Sequence, residues 1–155
     1  MLYKQTIQFA LQGGIIDLTC GMTGSAIPVP QAVKQALDAG VPLERLTLSS
    51  DGNGSMPKFN ENNELIGLTA AAPRYLYEEM LSIVKAGVLP FDKALQLITC
   101  NVADALKLED KGRIAVGKDA DLIVWNDDLT LNKVFARGRL MVDEGQAVVK
   151  GTFEN

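Results

Sequence analysis

With 155 residues, 47% of them hydrophobic and 22% charged, the chain has the length and composition of one soluble globular domain. Its net charge of −4, with 15 lysines and arginines scattered among 19 acids, leaves no basic stripe and argues against a nucleic-acid partner. Histidine is absent altogether, so a metal or proton-transfer site must use carboxylates, thiols or lysine, or borrow groups from another chain.

No apolar run approaches the roughly 18 residues that a membrane span requires, and no membrane association is expected. Met1 to Gln5 carry no basic region leading into an apolar stretch, so no secretory signal is read and a cytoplasmic location is expected. Cys20 and Cys100 sit in apolar surroundings far apart in sequence, which reads as two buried thiols.

From Tyr3 to Gln12 the apolar residues Ile7, Ala10 and Leu11 share a helical face, and Gly13-Gly14 is a C-terminal stop. Ile15 to Thr19 read as a short buried strand, followed by a Gly-, Ser- and Pro-rich loop from Gly21 to Pro30. Pro30 suits the first turn of a second helix, whose face is Val33, Ala36 and Leu37 and whose end is Gly40. Leu46 to Ser49 form the next strand. Helix, strand, helix, strand, with the longer loops after the strands, is the pattern of a parallel α/β sheet with its chemistry at the strands' carboxyl ends.

A loop is expected from Asp51 to Gly67, then a helix from about Pro73 to Ala86 with Leu76, Met80, Ile83 and Val84 on one face. Another helical stretch lies between Phe91 and Leu108, broken near Thr99-Cys100-Asn101, with Ala94, Leu97, Ile98, Val102 and Leu106 inward. Tyr75 and Tyr77 read as surface or core residues of the first of these helices. From Gly112 the periodicity becomes β-like, with strands at Leu122–Trp125, Val134–Arg137, Leu140–Val142 and Ala147–Val149. These strands form a small antiparallel meander, marginal alone, that completes a larger sheet. The α/β part shows too few strands for a closed sheet, and 155 residues are too few for a complete (β/α)₈ barrel.

Two segments carry more than fold class. Gly112-Arg113-Ile114-Ala115-Val116-Gly117-Lys118-Asp119-Ala120-Asp121-Leu122 resembles the G-x-I-x-x-G-x-D-A-D-L run of the amidohydrolase superfamily. That run leads from the last barrel helices into a β-sandwich built from both chain ends, and its role is structural. Asp119 and Asp121 are expected to satisfy backbone donors at the strand entry. The second segment, Ser49-Ser50-Asp51-Gly52-Asn53-Gly54-Ser55 after a strand, is similar to the corresponding loop of the isoaspartyl dipeptidase family within that superfamily. The similarity extends from Leu2 to Glu154.

The resemblance implies residues 1–110 as the last two βα units and helices of a TIM-barrel metal-dependent hydrolase, and residues 111–155 as strands of the composite β-sandwich. It makes Asp51 the acid–base residue and a metal contact, provided the missing zinc ligands come from another chain. Ser55 becomes a substrate contact and a small β-aspartyl dipeptide the substrate. It brings a pair of zinc ions that bind and activate a hydroxide, while Asp51 moves the proton to the leaving amine. The family's metal-binding histidines and bridging lysine lie on earlier strands. The chain is therefore expected to be a C-terminal portion that is inactive alone, binds zinc below stoichiometric levels and forms a homo-oligomer.

Other readings of the same residues stay open. Ser-Asp-Gly after a strand is also an ordinary turn, and the Ser55 hydroxyl and Asn53 can cap that turn instead of binding substrate. The chain could be a non-catalytic remnant that folds by self-association through exposed sheet edges. It could also derive from another amidohydrolase, such as a dihydroorotase-like or deaminase-like enzyme, against which the Gly-Asn-Gly-Ser extension after Asp51 speaks.

Overall fold

In the computed structural model the described residues are 2–22 and 27–151, and the chain divides into two units, Met1–Leu106 and Lys107–Asn155. In the first unit, α1 (Leu2–Leu11) leads into β1 (Ile16–Thr19), and α2 (Val29–Asp38) leads through a short 3-10 turn at Leu43–Arg45 into β2 (Leu46–Ser49). β1 and β2 pair in parallel, Ile16 against Leu46 through Thr19 against Ser49. Both strands alternate in step. Ile16, Leu46 and Leu48 face the core, whereas Asp17, Thr19, Ser49 and Thr47, itself buried, share the opposite face.

The apolar face of the pair joins a core built from the helices. Val29, Ala32, Val33 and Ala36 recur at helical spacing along α2 and are all buried. Two further helices follow, α3 (Tyr75–Lys85), which contributes Met80 and Ile83, and α4 (Phe91–Gln96), which contributes Ala94. Leu97, just past α4, joins the same core. Full burial of each such aliphatic side chain contributes about 1.5–3 kcal/mol. Tyr75 and Tyr77 are half-buried against this core, and the Tyr3 hydroxyl donates to Ala32 O at 2.5 Å, tying α1 to α2.

The glycine stops work as expected. Gly40 (φ +88°) and Gly87 (φ +67°) follow α2 and α3 in the left-handed conformation that glycine adopts without steric cost. In each case the next residue reaches back five positions, Val41 N to Ala36 O and Val88 N to Ile83 O, which satisfies a terminal carbonyl of the helix. The last helical stretch is broken, with α4 ending at Gln96 and α5 (Cys100–Leu106) restarting after a turn.

Other expectations are corrected. The segment read as a loop from Asp51 to Gly67 contains β3 (Ser55–Phe59) and part of β4 (Leu65–Ala70), an antiparallel hairpin. Pro57 and Gly67 disguise it, yet proline is tolerated on an edge strand, and Asn60 closes the turn by accepting from the amides of Asn62 and Glu64. Leu106, assigned inward, is 64% exposed, and Leu11, read on one face with Ile7 and Ala10, is 44% exposed. On α5 the buried residues are instead Asn101 and Ala103, because Asn101 is held against β2 by hydrogen bonds described below. Cys20 is buried as expected, but Cys100 is only partly so, and both thiols are free.

In the second unit β5 (Leu122–Trp125), β6 (Leu131–Ala136), β7 (Arg139–Asp143) and β8 (Gln146–Ala147) form an antiparallel sheet in sequence order. Strand β6 starts three residues earlier than the sequence pattern indicates, and β8 covers Gln146–Ala147 instead of Ala147–Val149. Among the described residues no helix is long and apolar enough to cross a membrane.

Candidate active site

Asp51 lies two residues beyond the carboxyl end of β2, where a parallel sheet presents its loops. Its backbone is left-handed (φ +48°), as is that of Asn53 (φ +65°), and its side chain is exposed. Asp and Asn tolerate this conformation better than other side chains, because their short polar groups bond locally. The turn is closed by Gly54 N donating to Asp51 O at 2.8 Å. A Cβ on Gly54 would fall 2.8 Å from Asp51 O and 2.9 Å from its Oδ1. Glycine is therefore favoured here by the close approach of the Asp51 backbone carbonyl, with the carboxylate beside it, and not by backbone freedom.

The same turn is continuous with the hairpin. Asn53 N donates to Ala71 O at 2.9 Å and Ala71 N donates to Gly54 O at 2.8 Å, which extends the β3–β4 ladder down to the Asp51 turn. Ser55 is the first residue of β3 and is exposed. It is thus a strand residue flanking the turn instead of a loop residue. Asp51 and Ser55 are the two ends of one braced segment.

Sequence reasoning missed a polar constellation on the same sheet. The Asp17 carboxylate accepts from the Thr47 hydroxyl at 2.8 Å and from the Ser49 hydroxyl at 2.5 Å. Asp17 joins β1 to β2 on the face opposite the helices, just before the Asp51 turn. A signal existed, since both strands alternate apolar and polar residues with the polar positions in register. Reading Ile15 to Thr19 as merely a buried strand passed over it.

Cys20, at the end of β1, is fully buried and its thiol is pushed up to about 12 by burial, with the negative charges of Glu79 and Asp17 adding to the effect. A thiol so held stays protonated near neutral pH and is a poor nucleophile. Its place is packing. Among the described residues no three His, Cys, Asp or Glu side chains gather where they could hold a cation. With no histidine in the chain, the residues present do not fit a zinc pair by themselves.

The motif in the second unit has a visible structural role. Lys111 Nζ bridges Asp119 at 2.6 Å and Asp121 at 2.5 Å. Asp121 also accepts from Arg137 N at 2.8 Å, and Asp119 from the Arg137 guanidinium at 3.3 Å. Asp121 serves a backbone donor as expected, whereas Asp119 serves two cationic side chains. Lys111, followed by Arg137, holds both carboxyls below the ordinary aspartate range.

Residues 28–144 match the model of the amidohydrolase family. The chain belongs to that family. It is similar to a β-aspartyl dipeptidase from Fervidobacterium islandicum AW-1, solved with a β-Asp-Leu dipeptide, at 32% identity and a TM-score of 0.83. That match covers 97% of this chain and 39% of that one. Among curated relatives, an imidazolonepropionase of Anaeromyxobacter sp. (strain K) is 34% identical over 112 residues, 72% of this chain and 22% of that protein. Adenine deaminase 1 of Carboxydothermus hydrogenoformans is 28% identical over 104 residues, 66% of this chain and 17% of that protein. The chain thus spans less than a quarter of the length of these curated relatives. The mixed α/β architecture agrees with amidohydrolase structures, a generally metal-dependent family that acts on small substrates.

Proposed function

We propose that this chain carries the acid–base strand and turn of a zinc-dependent β-aspartyl dipeptidase. In this reading residues 1–110 form the last two βα units and the following helices of a TIM barrel, and residues 111–155 are strands of a composite β-sandwich. The metal ligands come from residues outside these 155, in a cytoplasmic enzyme. Asp51 receives the proton of the attacking water and returns it to the leaving amine, general base and then general acid work. Ser55, at the other end of the braced segment, contacts a carboxylate of the dipeptide. The chain by itself does not hydrolyse peptides.

The observation that carries the reading is the Asp51 turn. An exposed carboxylate stands at the carboxyl end of a parallel strand, with Gly54 kept bare against it, in a chain that matches a β-aspartyl dipeptidase over 97% of its length. The test is a chimera. This chain replaces the corresponding two-fifths of the Fervidobacterium enzyme, and zinc-dependent cleavage of β-Asp-Leu is measured. Cleavage that is lost on Asp51→Asn but kept in Asn53→Asp bears the reading out. A chimera that loses nothing on Asp51→Asn overturns it.

A second reading is favoured by the curated relatives, whose names are adenine deaminase and imidazolonepropionase. There the same Asp51 would serve an amidohydrolase that opens or deaminates a ring. Assaying the chimera against adenine and β-Asp-Leu side by side separates the two.

A further inference from the structure

Asp17 bridges the two parallel strands just short of the Asp51 turn. One carboxylate oxygen accepts from the Thr47 hydroxyl and the other from the Ser49 hydroxyl. Thr47 is its register partner and Ser49 lies one alternation further along β2, so the two bonds run straight and diagonally across the strand pair. Each oxygen has its own donor, and a carboxylate held twice is fixed in direction as well as distance. The bridge adds nothing to the core. Asp17 is exposed, on the face opposite the helices, where water competes for its carboxylate.

What the bridge fixes is the end of β2. Ser49, the last residue of that strand, is held twice from β1. Its hydroxyl donates to Asp17 Oδ2 at 2.5 Å, and its carbonyl accepts from Cys20 N at 2.7 Å. Asp51 follows two residues later, already in the left-handed conformation. On the far side the turn is held by Asn53 N donating to Ala71 O and Gly54 N donating to Asp51 O. Only Ser50, Asp51 and Gly52 lie between the Ser49 and Asn53 anchors. A segment that short, tied at both ends, has little freedom to reorient the carboxylate it carries.

We infer that Asp17 is a positioning residue for Asp51: through Ser49 it fixes the near end of the turn and so the placement of the acid–base carboxylate. The inference rests on the role proposed for Asp51 and adds to that site a residue from the neighbouring strand. Asp17 itself takes up and gives back no proton in this scheme. Its loss therefore lowers kcat and spares KM, because a misplaced Asp51 is felt in the transition state and not in the bound dipeptide.

Two measurements test this. In the 155-residue chain, amide exchange at Gly54 reports the turn. Asp17→Ala and Ser49→Ala should each accelerate it, and the double variant should do no more than either alone, because both remove the same bond. Ser49→Ala, which deletes a single oxygen, carries the test if Asp17→Ala fails to fold. Asn101→Ala, which frees the Leu46 carbonyl at the other end of β2, should leave Gly54 exchange unchanged. In the chimera described above, Asp17→Ala and Ser49→Ala should each lower kcat for β-Asp-Leu about ten- to a hundredfold, with KM little changed. Asn101→Ala should lower the urea midpoint and not kcat. An Asp17 that serves the fold alone would behave as Asn101 does, lowering the midpoint while kcat and Gly54 exchange stay put, and that result overturns the inference. So does a double variant in which the two losses add. A chimera indifferent to Asp51→Asn overturns the acid–base reading instead, and Gly54 exchange then decides by itself whether Asp17 holds the turn.

Discussion

The Asn101 side-chain amide reaches across 55 residues of sequence to donate to the Leu46 carbonyl of β2 at 2.9 Å, and it also donates to Leu43 O at 2.8 Å. One step along the strand, Leu48 N donates to Leu97 O at 3.0 Å. The side of β2 away from β1 is therefore satisfied by a helix break and one buried amide. The interruption between α4 and α5 has a purpose, since a continuous helix would have used the Leu97 carbonyl internally. Asn101→Ala leaves two acceptors without their donor, and such a loss costs about 1–3 kcal/mol when the groups are buried. Urea unfolding should show a lower midpoint with an unchanged slope. Stability equal to the parent's would mean that water replaces the amide at no cost.

Gly54 gives a sharper local prediction. A methyl group there would meet Asp51 O and Oδ1 at under 3 Å, so the turn must open or the carboxylate must swing away. Gly54→Ala should destabilise the chain by about 1–3 kcal/mol. Exchange of the Gly54 amide, now bonded to Asp51 O, should accelerate while amides of α2 keep their protection. Faster exchange throughout the first unit would instead indicate a general packing defect.

The helices and the two parallel strands were legible because their signals are local. Val33 and Ala36 repeat at helical spacing, and a glycine marks the stops of α1, α2 and α3. The β3–β4 hairpin was not legible, because Pro57, Asn60 and Gly67 are turn-forming residues and its strands show little burial for a pattern to report. Leu106 was placed inward because periodicity identifies a helical face but not which face the rest of the fold covers. Asn101 left no trace in its neighbourhood, since its partners are 55 and 58 residues away. At the site, Asp51 was singled out by the resemblance of its loop to a family and not by its turn residues, which any turn could carry, whereas Asp17 acquires meaning only once Thr47 and Ser49 stand beside it.

The Lys111 cluster predicts a pH dependence. Asp119 and Asp121 are held below their ordinary value by Lys111 and Arg137. A carboxylate depressed in the folded state contributes stability above its unfolded pKa, about 3.9, and that contribution is lost as pH falls through the lower folded value. Lys111 is raised by the same partners, so its contribution is present below its unfolded pKa and lost in strongly alkaline solution. Trp125, the single tryptophan, lies in β5 of this unit. Its fluorescence should report acid unfolding with a midpoint that moves to higher pH in Lys111→Met. An unmoved midpoint would show that solvent screening already cancels these exposed pairs.

The two cysteines should separate cleanly by reactivity. Cys20 is fully buried with its thiol pushed up to about 12, so at pH 8 its thiolate fraction is negligible. Cys100 is partly exposed. A thiol reagent under native conditions should label one site per chain, identified by mass spectrometry as Cys100. Cys20 should react only at the rate at which the first unit unfolds. Rapid labelling of Cys20 in the folded chain would show that the end of β1 opens on its own.

The last prediction concerns zinc. A structural or catalytic zinc site draws on histidine, cysteine and carboxylate ligands converging at about 2.0–2.3 Å. This chain has no histidine, and among the described residues no three candidate donors converge. Asp51 alone is one oxygen donor competing with water. A ligand at a hundred times its dissociation constant would stabilise the fold by about 2.7 kcal/mol. The urea midpoint should therefore be the same in zinc-containing buffer and in chelator. Zinc measured after dialysis should fall well below one ion per chain, and incubation with zinc and a β-aspartyl dipeptide should yield no free amino acid. One tightly retained zinc per chain, with a matching rise in the urea midpoint, would place a complete ligand set within these residues. Asp51 would then be working in a centre that this chain builds unaided.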